Sequence, residues 1–340
     1  MNKPIKNRRD IFILTGILIS IFVIGGLVFN YLKPQSNDVI TIGISRWGGN
    51  PEFGRSVAGF KEALQENGYI EGQNIQYLER NSETDIVRQR QIIQSFIDDK
   101  VDLIYSLTTP GTLIAKELTE QYKNPIPVVF SICTYPVESK LIASLKTSGN
   151  HLVGTRNYVP FTQQYYAFER IFPHTKTLAV VHRKGEPNST NQFRDVKQLL
   201  AKRGINVIDI AAVDLKEIRT QLENTKDQFD SIYSTCDTLT HAGGEEIIVE
   251  FSKRYQKPSF ACNKEGVLKG HLVGNVGDFK AIAKISGEKA ALILKGSKPS
   301  WLQTESPRQN YIVVNLKTAA DLNIIVPQDI LDNAKEIITE

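Results

Sequence analysis

No C-x-x-C or H-E-x-x-H pattern occurs in the 340 residues, and the five histidines (His151, His174, His182, His241, His271) are scattered without ligand spacing. A thiol or paired-histidine metal site is therefore not expected. Also absent are a G-x-S-x-G elbow, a phosphate-binding G-x-x-x-x-G-K-[ST] loop and a G-x-G-x-x-G turn. That leaves no nucleophile–base pair and no nucleotide cradle, so the chain reads as a non-enzyme that needs no cofactor. Cysteine is sparse: Cys133, Cys236 and Cys262 all fall at strand ends. The last two sit on what read as neighbouring strands, where a disulfide is permitted outside the cytoplasm. All three are expected as small buried apolar residues. No repeat of 20–50 residues is visible, which excludes a solenoid.

A surplus of charge is missing from most of the chain. The first 37 residues hold five Lys+Arg and one acid, against 41 and 37 in the whole sequence, so the remainder carries 36 of each. The overall pI of 8.7 comes from that short basic start. A neutral body gives no reason to expect nucleic acid, whose backbone demands a clustered basic face.

What is present begins with Lys3, Lys6, Arg8 and Arg9, followed by an apolar or small-residue run from Ile11 to Phe29. The run is long enough for one transmembrane helix. Basic residues stay on the cytoplasmic side, so everything after Tyr31 is expected outside the cytoplasm. The run reads as a retained single-pass anchor; the alternative is a signal cleaved near Gly25–Lys33, although no small-x-small site stands out. No cysteine follows the run closely enough to carry a lipid.

About 300 residues follow, more than one core usually fills, so two lobes are expected. Short β-rich runs alternate with amphipathic helices. Val39–Ser45, Asn74–Leu78, Val101–Ser106 and Pro127–Ser131 read as strands of one series, and Val57, Phe60 and Leu64 share a helix face at three- and four-residue spacing. After a bridge near Gly154–Pro160, a second series has strands at Thr177–His182, Ile205–Ala211, Ser231–Ser234 and Ser259–Cys262. Such alternation predicts an α/β fold with parallel sheets covered on both faces. The strand at His271–Val276 and the polar stretch Gly296–Asn310 are the expected places for further crossings between lobes.

Polar residues gather just past the strands: Ser45-Arg46-Trp47, Thr108-Thr109, Ser131 to Tyr135, Gly185 to Ser189, Cys236-Asp237-Thr238, and Asn263-Lys264-Glu265. Ligands of open α/β sheets sit outside the carboxyl ends of the strands, where helix N-termini offer free N–H groups. Taken singly, Thr109, Asn188 and Asp237 are also ordinary helix caps. Trp47 and Tyr135, beside polar residues, read as half-exposed rings facing a cleft.

Several fragments together resemble the extracytoplasmic substrate-binding proteins of ABC importers, in the branch related to aromatic-amino-acid binders. They are Gly59-Phe60-Lys61-Glu62-Ala63-Leu64 with Asn67-Gly68-Tyr69, Val101-Asp102-Leu103-Ile104, Thr109-Pro110, Pro127-Val128-Val129-Phe130 with Pro136-Val137, Gly185-Glu186-Pro187-Asn188-Ser189, and the tail Val314 to Ala320 with Ile325-Val326-Pro327 and Ile330-Leu331. The resemblance implies a type I periplasmic binding protein: two Rossmann-like lobes joined by hinge strands, with residues 38–156 plus about 277–306 in the first and 157–276 plus about 307–340 in the second. Hinges are expected near Gly154–Tyr158, Val273–Gly277 and Pro307–Ile312.

It further implies that Ser45, Thr108, Thr109 and the loop to Tyr135 meet a small amino-acid-like solute from one side. Asn188, Ser189, Asp237 and Asp278 approach from the other, with Asp237 the expected partner of an ammonium group. The partners implied are a permease and its ATPase. Asn263-Lys264-Glu265 departs from the acids the family tends to show after its Phe260-type strand, and Lys264 and Arg46 speak against an ordinary aromatic amino acid. A membrane-tethered ligand sensor acting through a separate protein is the alternative.

Overall fold

The computed structural model describes residues 39–340. The expected membrane helix lies outside them, and no helix among the described residues is long and apolar enough to cross a membrane. Five parallel strands, β1 (Ile40–Arg46), β2 (Ile75–Asn81), β3 (Leu103–Leu107), β4 (Val128–Ser131) and β5 (Leu152–Thr155), form one sheet in the order β2-β1-β3-β4-β5. Every residue of β3, β4 and β5 is buried, which is why these segments are apolar without alternation.

Helix α1 (Pro51–Glu66) starts where the Asn50 side chain accepts the Glu52 N–H at 2.9 Å and Pro51 pre-sets the first turn. Its buried stripe includes Val57, Phe60 and Leu64, with Phe60 stacked on Tyr105 at 3.8 Å between ring centres. Helices α2 (Ile86–Asp98) and α3 (Thr109–Thr119) follow β2 and β3.

A second sheet has the order β12-β11-β10-β9-β8-β6-β7. Its strands are β6 (Thr177–Arg183), β7 (Asn206–Ala212), β8 (Ser231–Ser234), β9 (Ser259–Ala261), β10 (Val273–Gly277), β11 (Asn310–Asn315) and β12 (Ala334–Ile338). Neighbours are parallel except β10 and β11, which run antiparallel. Its helices are α4 (Phe161–Ile171), α5 (Pro187–Lys202), α6 (Leu215–Thr225), α7 (Glu245–Tyr255) and α8 (Lys264–Lys269). After β10 come α9 (Phe279–Leu294) and the short α10 (Leu316–Asp321) and α11 (Gln328–Asn333). The core beside this sheet is aromatic, with Phe260 stacked on Phe168 at 4.4 Å and on Tyr233 at 4.5 Å.

The chain passes between the two sheets three times. It leaves the first after β5, returns at Asp278 so that α9 packs on α1, β4 and β5, and leaves again through residues 295–309 into β11. The α1–α9 contact is close because both helices carry glycine there. A Cβ on Gly59 would sit 2.2 Å from the Lys280 carbonyl oxygen, and one on Gly287 would sit 2.6 Å from that of Phe60.

Two sheets of this kind, with helices on their faces, are the expected two-lobe α/β architecture. The sequence reading differs in detail: β5 falls where only a bridge was expected, and β11, β12 and α4 were not anticipated as elements.

Candidate functional site

Loops from the carboxyl ends of strands in both sheets meet around a narrow, nearly closed cavity of about 10 Å³. The first sheet supplies Thr108 and Thr109 after β3 and Ile132 and Thr134 after β4; the second supplies Glu186 and Asn188 after β6 and Cys236, Asp237, Thr238 and His241 after β8. Asn157, on the first crossing, completes it. Thr108 (φ 69°) and Ile132 (φ 62°) hold positive φ, a conformation β-branched residues seldom adopt. Strain of this sort, on the order of 1–3 kcal/mol per residue, collects at ligand clamps and survives because the surroundings fix it. Thr109 Oγ1 and Asn188 Oδ1 are buried and have no hydrogen-bond partner among the described residues.

A second small cavity of about 30 Å³ adjoins, sharing Thr238 and His241. Trp47, Phe53 and Thr84 line it, and Trp47 Nε1 is buried without a partner among the described residues. Phe53 meets the His241 ring edge-on at 6.3 Å. The pair of cavities therefore combines a polar end with an aromatic one.

Asp237 accepts four hydrogen bonds from its own surroundings: from the backbone N–H of Arg183 (2.7 Å), Leu239 (2.9 Å) and Thr240 (2.9 Å), and from the Thr235 hydroxyl (2.7 Å). That uses the acceptor capacity of a carboxylate and fixes the loop after β8. Asp237, the residue expected to meet an ammonium group, thus has a structural part in its own loop while also lining the cavity. Glu186 beside it differs. Its oxygens take the Thr238 hydroxyl and, at 3.3–3.4 Å, the Thr238 N–H, while Arg183 Nε stands 3.9 Å away. Burial, then the neighbouring charge of Asp237, pushes the Glu186 carboxyl up to about 7.

Of the other residues singled out in the sequence, Thr108, Thr109 and Asn188 line the polar cavity and Trp47 the aromatic one. Six are engaged elsewhere. Ser45 Oγ accepts from Gln89 Nε2 at 2.7 Å, Arg46 pairs with Glu79 at 3.3 Å, and Tyr135 donates to Asp195 at 2.8 Å. Ser189 donates to the carbonyls of Arg183 and Glu186, closing the first turn of α5. Asn263 caps α8 through Gly266 N–H (2.9 Å) and donates to Glu245 (2.6 Å). Asp278 caps α9 through Lys280 and Ala281 N–H.

Lys264 pairs with Glu336 at 2.7 Å. With Lys264 and Arg46 both bound to acids outside the cavities, the objection they raised to an aromatic amino acid loses its basis. Glu186, Thr238, Asn157 and His241 are the lining residues the sequence reading did not select. The run Gly185 to Ser189 had drawn attention to the right loop, whereas at His241 the local sign is Glu245 four residues on.

Cys236 and Cys262 form a disulfide, Cα to Cα 5.6 Å, tying the loop after β8 to the end of β9. The expectation of buried free thiols holds for Cys133 alone, whose thiol is pushed up to about 12 by burial. A larger groove, about 610 Å³, lies along α9 and residues 307–311. Its charges are already matched, Lys284 with Glu66, Arg308 with Glu288 and Lys335 with Asp278, and it turns no buried, unpartnered polar side-chain atom inward.

Comparison with known proteins agrees with this geometry. The model of the family described as "ABC transporter substrate binding protein" matches residues 42–338. The "Tyrosine-binding protein" of Clostridioides difficile (strain R20291) is 25% identical over 292 residues, covering 86% of this chain and 83% of that protein. Among solved structures, an ABC domain from Streptococcus pneumonia in complex with L-Trp superposes with a TM-score of 0.83 at 24% identity, covering 88% of this chain and 100% of that one. The ligand-free, open structure of a Clostridium difficile substrate binding protein with adhesive properties gives 0.70 at 25% identity, covering 89% and 100%. With two parallel-sheet lobes meeting at a strand-end cavity, and the family match running across almost all of the described residues, the chain belongs to the ABC transporter substrate-binding proteins.

Proposed function

We propose that the protein is the extracytoplasmic solute-binding component of an ABC importer and captures an amino acid with an aromatic side chain between its two sheets. The observation that carries this reading is the cleft itself, where loops of both sheets turn buried, unpartnered polar atoms onto one cavity. Glu186, Asn188 Oδ1 and Thr109 are oxygen-rich and suited to an ammonium group. Trp47 and Phe53 suit a ring in the adjoining space. The 25% identity to a tyrosine-binding protein over most of both chains supports the same class of solute.

In this reading residues 38–156 with about 277–306 move as one lobe and 157–276 with about 307–340 as the other. Gly154–Tyr158, Val273–Gly277 and Pro307–Ile312 absorb the rotation, and the closed form is selected by the solute's higher affinity for it. The basic, apolar start of the chain holds the body at the outer face of the membrane, beside a permease and its ATPase.

A thermal-shift screen of the purified protein against amino acids, peptides, nucleosides, sugars and organic acids tests the proposal. A solute that binds only the folded state adds about 2.7 kcal/mol at a hundredfold excess over Kd. Stabilisation by an aromatic amino acid is the expected result. Silence across all amino acids, with the protein shown to be folded, would overturn it.

A further inference from the structure

We infer that His241 is a specificity-determining residue whose imidazolium receives the carboxylate of the solute, so that the cleft accepts molecules with a free carboxylate and rejects the corresponding amines. This rests on the amino-acid reading above and names the group that sees the acid end. The ring borders both cavities, so it stands at the junction between the polar and aromatic parts of the cleft. Its Nδ1 lies 3.3 Å from Glu245 Oε1. Glu245 is wholly buried and is also held by Asn263 Nδ2 (2.6 Å) and Lys269 Nζ (3.0 Å), and Lys269 reaches Glu246 at 3.0 Å.

The groups facing the ring are Glu245 from α7, Lys269 from α8, Asp237 from the loop after β8, the uncharged Phe53 from α1 and the sulfurs of Cys236 and Cys262. Burial alone would discharge the ring, but the bond to Glu245 and its charge outweigh burial and raise the imidazole above its ordinary value. Nδ1–H, which has the Asn263 amide nitrogen beside it at 3.3 Å, then serves Glu245, and Nε2–H makes no hydrogen bond among the described residues. Glu186 lines the same polar cavity and, once ionised, carries the opposite charge. A zwitterion answers both.

Calorimetric titration with L-tyrosine, tyramine and 3-(4-hydroxyphenyl)propionate separates the possibilities. The wild-type protein is expected to bind L-tyrosine roughly ten- to hundredfold more tightly than tyramine, the range of a hydrogen bond to a charged group. His241→Gln should erase most of that ratio by weakening L-tyrosine while leaving tyramine almost unchanged. Glu245, as the positioning residue, is read by pH: L-tyrosine affinity should fall off at higher pH in the wild type than in Glu245→Gln. Should Glu245→Gln fail to fold, the ratio in wild type and His241→Gln decides. Equal weakening of L-tyrosine and tyramine by His241→Gln, or a wild type that does not distinguish them, would overturn the inference while leaving the solute class intact. Failure of L-tyrosine and of every other amino acid to bind folded protein would remove the amino-acid reading and this inference with it.

Discussion

Glu186 is an acid enclosed beside another acid, and the two forms of its carboxyl are weighted differently in the folded and unfolded chains. The folded value of about 7 lies above the unfolded 4.5, so the folded state binds the extra proton. Its stabilising contribution is complete below pH 4.5 and is lost as the pH rises to about 7. In the absence of solute, wild-type protein should therefore lose on the order of 3 kcal/mol across that window relative to Glu186→Gln. Urea unfolding of the two at pH 4.5 and 8 checks this. At Asp237 the expectation is different. Replacing it by Asn removes charge-assisted acceptors from three N–H groups and should cost roughly 2–4 kcal/mol in unfolding free energy, more than a ligand-contact role alone would. Thr108, Thr109 and Asn188 were readable from sequence because position after a strand is enough to place a residue near the cleft. Whether a side chain's partners come from its own loop or from a solute is not written locally, and this is why the bonds that Asp237 makes to its own loop were not foreseen. His241 was harder to read, since only Glu245, four residues on, is local, whereas Lys269 comes from another helix.

Among elements, the pair α1 and α9 is set by glycine on both partners. Gly59→Ala would bring a methyl group against the Lys280 carbonyl and should destabilise the protein by about 1–3 kcal/mol, seen as a lower denaturant midpoint with an unchanged slope. The loop after β4 is joined to α5 by the Tyr135 hydroxyl on Asp195, a bond made across the two sheets. Tyr135→Phe should weaken closure by roughly 1–2 kcal/mol and enlarge the solute-free molecule in small-angle scattering, with L-tyrosine restoring the smaller radius. Among longer elements, α5, β6 and β7 were legible to within a residue or two, and the buried face of α1 was legible from the spacing of Val57, Phe60 and Leu64. β5 was not, because its end at Gly154-Thr155 merges with the polar stretch that reads as a bridge. β11 and β12 depend on pairing with residues far away in sequence, and only the resemblance of the tail hinted at order there.

For the molecule as a whole, the disulfide spans 26 residues and constrains the unfolded chain. Converting both Cys236 and Cys262 to Ala should lower the unfolding free energy by about 3 kcal/mol by chain entropy, and should loosen the loop that carries Asp237, Thr238 and His241. Comparing L-tyrosine affinity before and after reduction separates the stability effect from the effect on the site. The other molecule-wide feature is the return of α9 to the first sheet. The layer that covers α1, β4 and β5 comes from residues 279–294, so the amino-terminal sheet cannot be completed until almost the whole chain has emerged from the ribosome or translocon. A fragment ending near residue 156 should leave the faces of Phe60 and Ala63 uncovered and remain prone to aggregation, and since the second sheet waits in turn for β11 and β12, neither lobe can be finished while the chain is still short.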